Sequence, residues 1–455
     1  MDCTVDLQTV TGPAPHPERI WNTSLRFAPP KDIIERAVDA FGRPELVRIF
    51  ITLDEFWDFR DDSFHDNFRI GYNRYGADDP IHSYDRDRTR ASDVFFEAYL
   101  KNIGAVAQET LLCFRRYEHE VMNGTITWAD YGRVLDRALR LVLRHCPQTR
   151  WVEITNESEW AHFGGLDDDA YIELYRFASG VIQKINAELP ADRHLRIGGP
   201  VCSTSRKDRI ASFLHRLRDA GDCPCDFISL HDYDSGERPN QVHDVLAEVR
   251  AQLADSHLPA DLPIIVSECG TWEGNERSNE NMAAGMPIIL RQADDDPNAM
   301  LMPWCLYHDP TIQERSTMLL PDGRFTPYGC AMLMSSMHGE HELACHCPTR
   351  ADGRGIHLRA TRHDDGRLCI QAWNYEEATT VVRITLADLP VGDWRCRGFR
   401  IDAQHSNCLR YPEQNGTLAC IEDRCRSAAE ARSLLTELPA NALQCWSLQP
   451  QEATP

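Results

Sequence analysis

The sequence predicts an α/β chain, a (β/α)8 TIM barrel with an appended antiparallel β-sandwich domain. Three observations carry this. From residue 20 to about 335, short β-branched runs alternate with amphipathic helical stretches, giving eight strand–helix units in roughly 320 residues. After about Gly339 the rhythm changes to short strand-like runs separated by turns. An open doubly wound sheet is the alternative, but it would usually carry a glycine-rich phosphate loop after its first strand, and none is present.

The elements follow in order. Residues 19–26 read as a first strand, and after Pro29-Pro30 a helix over 32–41 is stopped by Gly42. Residues 47–53 (VRIFITL) have strong β propensity and form the second strand. A long polar stretch, 58–92, then interrupts the pattern, and such an insertion is usually functional or mobile. A weaker third strand falls within 103–114. The helix over 128–144 sets Tyr131, Val134, Leu135, Ala138 and Val142 on one face. Residues 151–155 make the fourth strand, and the helix over 167–185 crowds acidic residues at its positive end.

Strand 195–200 precedes a helix running from Ser205 to Gly221, and strand 226–231 one carrying Val242, Val245, Leu246 and Val249. Strand 264–267 precedes a Met-rich helix, and 299–302 the helix near 328–337. In the last part, 355–360, 368–373, 379–386, 394–401 and 443–448 read as strands, with Asp364-Asp365-Gly366 a turn. The strand-like segment 3–10 could pair with them. The expected division is a catalytic barrel over 17–338 and a sandwich over 339–455, joined by an N-terminal strand within 1–16.

The 455 residues carry 48 Lys+Arg against 70 Asp+Glu, a formal charge of −22. That balance argues against a nucleic acid or anionic membrane as partner, since phosphates repel such a surface. No apolar run approaches the ~20 residues of a membrane span. The start, Met1-Asp2-Cys3-Thr4-Val5-Asp6, lacks the basic and apolar regions of a secretory signal, so a cytoplasmic protein is expected. The composition is compatible with a homo-oligomer. Seventeen scattered cysteines, several inside apolar runs, suggest reduced, buried thiols rather than a disulfide framework. His338, His341, Cys345, His346 and Cys347 could supply zinc ligands, but their spacing matches no common finger, and a His- and Cys-rich domain junction is the expectation.

In such barrels reactive groups collect where strands end. Glu157 follows the fourth strand in Thr155-Asn156-Glu157-Ser158, and Glu268 the seventh in Val266-Ser267-Glu268-Cys269. Strands four and seven face one another across the mouth, so the two carboxylates can converge on one bond. Glycoside hydrolysis needs such a pair, one acid for the leaving oxygen and a second group opposite.

The series of motifs resembles glycoside hydrolase family 39, the β-xylosidases and α-L-iduronidases of clan A. Asn156-Glu157 and Ser267-Glu268 are similar to its strand-four and strand-seven ends, and Gly198-Gly199-Pro200 to its strand-five end. His231-Asp232-Tyr233 resembles its strand six, Trp304 with Asp309 its strand-eight end, and Thr326-Pro327-Tyr328 its last helix start. Trp373-Asn374-Tyr375 and 400–407 resemble its β-domain signatures.

The resemblance spans about 150–450. It implies Glu157 as acid/base, Glu268 as nucleophile, and Asn156 as the ligand of the sugar 2-hydroxyl. It also places His231 and Tyr233 in the donor subsite, with Tyr233 bonding Glu268, and makes Trp304 an apolar wall; no metal or organic cofactor is implied. Two departures stand out: Ser158 replaces the usual proline, and Arg48-Ile49-Phe50 stands where Arg-Gly-His is often found, so xylosidase specificity does not follow.

Ordinary explanations compete at several positions. Glu153, Glu159 and Glu273 read as structural or surface carboxylates, His231 alone as a satisfied polar residue, Trp304 as barrel packing and Asp309 as a loop cap. His405-Ser406-Asn407 reads as a hydrogen-bonded turn rather than a triad. The function expected is a retaining glycoside hydrolase, exo-acting on a β-xyloside-like or related glycoside. An endo-acting glycosidase, or a catalytically silent carbohydrate-binding protein on the same scaffold, would share these features.

Overall fold

The computed structural model describes residues 1–24, 27–71, 94–221, 223–233, 241–271, 278–308, 316–348, 350 and 353–451. Strand β1 (Asp2–Pro13) belongs to the second domain. The barrel starts with β2 (Ile20–Asn22) and β3 (Leu46–Thr52), followed by a small hairpin, β4 (Trp57–Asp58) and β5 (Ser63–Phe64). It continues with β6 (Glu109–Arg115), β7 (Thr149–Ile154), β8 (Arg196–Ser203), β9 (Phe227–Asp232), β10 (Ile264–Cys269) and β11 (Ala299–Pro303). These eight strands are parallel and adjacent in chain order. The ring closes where the Leu306 N–H donates to the Asn22 carbonyl at 2.9 Å. All seven residues of β3 are buried, because helices cover the outer face of a parallel barrel while side chains fill the inner one.

Two boundaries differ from expectation. The first strand is only three residues long. Residue 103 lies in a helix, Phe96–Val106, whose Phe96, Tyr99, Leu100 and Ile103 recur at helical spacing, so the third barrel strand starts at Glu109. The helices begin where a side chain can take an orphan N–H. The Thr127 hydroxyl accepts from Asp130 N at 3.1 Å ahead of Trp128–His145, and Asp167 from Ala170 N at 2.8 Å ahead of Asp168–Asn186. Of the polar insertion, residues 72–92 lie outside the described residues. No helix among the described residues is long and apolar enough to cross a membrane.

The barrel interior is layered with the two-residue period of its strands. Leu46, Leu111, Trp151, Phe227, Ile265 and Met302 fill its base. Two residues further along are Arg48, Glu153, Ser229 and Ser267, none exposed. Above them lies the mouth. At Gly198 a Cβ would stand 2.5 Å from the Phe227 ring and carbonyl, so only glycine lets β8 and β9 approach this closely.

The second domain comprises β12 (His341–His346), β13 (Gly355–Arg362), β14 (Leu368–Tyr375), β15 (Thr380–Ala387), β16 (Asp393–Ile401), β17 (Ala419–Ser427), β18 (Ser433–Leu438) and β19 (Leu443–Pro450). Strands β12, β17 and β18 were not foreseen. β17 is an edge strand with five charged or polar residues among its nine and no apolar face to signal it. β1 lies between β12, antiparallel, and β15, parallel, so the nine-stranded sheet is mixed at that one place. The sheet wraps around its own core, including Val5, Ile370, Ile384, Trp394 and Trp446.

On its other side, Trp373, Tyr375, Ile401 and Leu443 join the barrel's core. The Asn407 Nδ2 donates to Glu280 Oε1 at 2.8 Å, tying this domain to the barrel helix Asn279–Ile289. His405-Ser406-Asn407 is a turn: Asp402 Oδ1 accepts from Gln404 N and His405 N, and the Ser406 hydroxyl donates to the Arg400 carbonyl.

The expectation of wholly reduced cysteines is corrected at one pair. The β1–β12 register, Thr4 with His346, sets Cys3 opposite Cys347, and the two form a disulfide with Cα atoms 4.6 Å apart. The other fifteen cysteines are free. His338 bonds Thr361 Oγ1 and Gln371 Oε1, and His341 bonds Asp364. Among the described residues no three potential metal ligands come together.

The Asn407→Ala variant removes a buried bond to a carboxylate shared by both domains. The expected loss is about 1–3 kcal/mol of stability, read as a lower urea midpoint.

Candidate active site

Three local irregularities of the backbone bring the mouth residues together. In β10, Val266 pairs with Leu230 but Glu268, not Ser267, pairs with His231. The extra residue is a bulge, and it re-aims Glu268 into the layer that holds His231. At the end of β7, Thr155 and Glu157 adopt φ of 67° and 46°, unusual for residues with a Cβ and most costly for the β-branched Thr155. Between them Asn156 turns to the barrel axis. The Glu157 N–H donates at 2.9 Å to the carbonyl of Val201, itself at φ 55° where β8 bulges against β9. Strain on neighbouring strand ends is thus mutually locked.

The fixed point is Arg48, wholly buried in β3. Its Nε donates to Glu153 Oε2 at 2.8 Å, its Nη1 to Glu268 Oε1 at 2.5 Å, and its Nη2 to Asn156 Oδ1 at 2.9 Å. Tyr233 donates its hydroxyl to the other oxygen, Glu268 Oε2, at 2.5 Å. His231 stands between the two candidate carboxylates, with Nδ1 2.8 Å from Glu157 Oε1 and Nε2 3.7 Å from Glu268 Oε1. One imidazole therefore spans the residues that the sequence singled out on strands four and seven.

Burial opposes a charge on Glu268, but His231, Arg48 and the Tyr233 hydroxyl together outweigh it and hold its carboxyl below the ordinary glutamate value. Burial likewise opposes a charge on His231, and Glu268 and Glu157 overcome it, raising its pKa. Burial and the adjacent Glu268 push the Tyr233 hydroxyl well above the usual tyrosine range, so it remains a donor. Glu157 is the more accessible carboxylate, its side chain 15% exposed against 8% for Glu268.

Trp304 is buried and packs with Phe50, Cys113, Cys305 and Tyr233, an apolar wall beside Glu268. The Trp304–Cys305 peptide is cis. Asp309 and Glu273 lie outside the described residues. Sequence reasoning missed the part played by Arg48 and Glu153. Arg48 was noted only as part of a departure from a motif, and Glu153 as structural or surface, whereas it is wholly buried against Arg48. Their signal was available: both are charged and inward-pointing two residues after base-layer positions of apolar strands. A separate cleft of about 860 Å³, lined by Pro13–Pro17, Glu45, Met300 and Glu342 among others, lies at the strand starts, the opposite end from this chemistry.

Residues 178–331 match the family model of a glycosyl hydrolase catalytic core. No curated protein sequence matches the chain. Among solved structures, a monomeric β-xylosidase from Caulobacter crescentus CB15 superposes with a TM-score of 0.70 at 15% identity, over 99% of this chain and 100% of that one. A GH39 enzyme from Xanthomonas axonopodis pv. citri gives 0.66 at 15% identity, over 99% and 97%. A bacterial orthologue of human α-L-iduronidase gives 0.62 at 16%, over 100% and 84%. Residues 178–331 thus resemble a glycosyl hydrolase catalytic core, and the chain as a whole has the fold of these solved structures.

Arg48→Met would leave Glu153 and Glu268 buried without their cation. The expected loss is about 3–5 kcal/mol in chemical unfolding. Because the folded-state pKa of His231 is raised, its contribution is complete below the unfolded value of about 6.5 and is lost as pH rises through the folded value. A melting-temperature scan should therefore show the advantage of the wild type over His231→Gln shrinking toward alkaline pH.

Proposed function

We infer that this chain, a glycosidase on the family 39 fold, is a retaining, exo-acting enzyme with Glu268 as nucleophile and Glu157 as acid/base. One observation carries the reading. Of two carboxylates joined through His231, one is held ionised by Arg48 and Tyr233 while the other, more accessible, has one side-chain partner among the described residues, the His231 imidazole. An anionic nucleophile beside a group that can give and take a proton is what double displacement requires.

Glu268 attacks the anomeric carbon as Glu157 protonates the departing oxygen, leaving a covalent glycosyl ester. Water, deprotonated by Glu157, then cleaves that ester and configuration is retained. With its Oδ1 committed to Arg48, Asn156 has its Nδ2 N–H groups for the sugar 2-hydroxyl, a bond that strengthens as the oxocarbenium ion develops. As the ester forms, Glu268 loses its charge and its hydrogen bond from Tyr233 is no longer charge-assisted. Trp304 with Phe50 offers an apolar face to sugar C–H groups. The substrate is a β-xyloside-like or related glycoside. Fifteen free thiols against one disulfide fit a reducing compartment such as the cytoplasm.

An aryl-glycoside panel (xyloside, arabinoside, glucoside, galactoside, fucoside, iduronide) tests this. One member should turn over with retained anomeric configuration in the first product, seen by NMR. Glu268→Ala should lower kcat roughly 10⁴–10⁶-fold, and azide should restore turnover to Glu157→Ala. Undiminished turnover in both variants, or inversion, would sink the mechanism. The acidic limb of kcat/KM should fall below the ordinary glutamate pKa of about 4.3, since Glu268 stays ionised there.

A further inference from the structure

A third carboxylate lies beneath the two at the mouth. Glu153 sits in the barrel interior on β7, unexposed, and its Oε2 takes the Nε of Arg48 at 2.8 Å. Its Oε1 is buried and makes no hydrogen bond among the described residues. A buried ion pair kept for stability alone would be expected to satisfy both oxygens, because desolvation otherwise outweighs the attraction, and an apolar pair of similar volume would serve as well. The half-satisfied carboxylate therefore calls for another role, and its geometry supplies one.

We propose that Glu153 is a positioning residue for the nucleophile: it anchors the Arg48 guanidinium so that Nη1 meets Glu268, and its charge divides the cation between two carboxylates. The proposal rests on the reading of Glu268 given above. Without a counter-charge, a buried guanidinium at 2.5 Å would draw on Glu268 alone and leave a poor nucleophile. With Glu153 present, Glu268 is ionised yet only partly neutralised. The other groups facing Glu153 are the Cys113 thiol from β6 and Tyr171 from the helix Asp168–Asn186, both neutral because burial raises their pKa values. Glu268 on β10 and His231 on β9 lie on the far side of Arg48.

The test is the rate at which a 2-deoxy-2-fluoroglycosyl fluoride, of the sugar found in the panel, traps the enzyme as a function of pH. Fluoride leaves without an acid, so the rate reports the nucleophile alone. In E153Q, which keeps the shape and an acceptor, trapping should slow at least about tenfold, and its acidic limb should move down by ~0.5–1 pH unit, the scale expected for losing a nearby anion. E153D, which retains the charge with a shorter reach, should keep the limb at its wild-type pH while trapping more slowly.

A limb unmoved in E153Q, with only a lower melting temperature, would mean a structural role and overturn the proposal. Should E153Q not fold, carboxyl-carbon NMR of the wild type decides: Glu153 must stay ionised at working pH, and a protonated Glu153 overturns the proposal. An active wild type with a superimposable E153Q profile refutes this inference alone. A wild type that turns over substrate but is never trapped removes the nucleophile reading beneath it.

Discussion

A single buried guanidinium organises the mouth of this barrel. Arg48 has no solvent to share its charge, so every one of its donor directions must find an acceptor inside, and those acceptors come from different strands: Glu153 and Asn156 from the end of β7, Glu268 from β10. The requirement works in both directions. Arg48 keeps Glu268 ionised, and the carboxylates keep Arg48 from leaving. Because the partners are distant in sequence, the site exists only when the ring of strands is closed.

The aim of these side chains is set by features at the strand ends. The bulge in β10 rotates Glu268 toward His231, and the left-handed residues Thr155, Glu157 and Val201 turn β7 and β8 so that Asn156 faces inward. Such conformations are individually unfavourable. They persist because the Glu157–Val201 backbone bond and the Arg48 network over-determine them. The base of the barrel, by contrast, is ordinary apolar packing. The β domain holds the barrel helix Asn279–Ile289 through Asn407 and packs Tyr375 and Trp373 into the barrel's core.

How far the sequence was legible follows from which signals are local. Residues 47–53 read as a strand because β-branched and aromatic residues dominate the segment, as they do on a doubly buried strand. The helix starting at Trp128 read correctly because one face repeats every three to four residues. The window for the third strand, 103–114, began too early because Ile103 lies near the end of a helix, Phe96–Val106, whose apolar face merges into the following strand. Edge strand β17 escaped notice because its side chains face water. Glu157, Glu268, Asn156, His231 and Tyr233 were legible from strand-end position and ordered motifs, and all five converge. The disulfide was not, since only the β1–β12 register brings Cys3 to Cys347.

By itself the sequence determined the alternation of strands and helices, the change to an antiparallel-type pattern after the barrel, and the two carboxylates at opposite strand ends. These are matters of local period and neighbouring residue type. Only the tertiary structure decided which charged residues act together. Arg48 and Glu153 look like a motif departure and a spare acid along the chain, and become a shared buried cation and its counter-charge once β3, β7 and β10 surround one axis. The reason is physical: a charge removed from water takes its properties from whatever lies within a few ångströms, and that neighbourhood is assembled from residues 105 and 220 positions away.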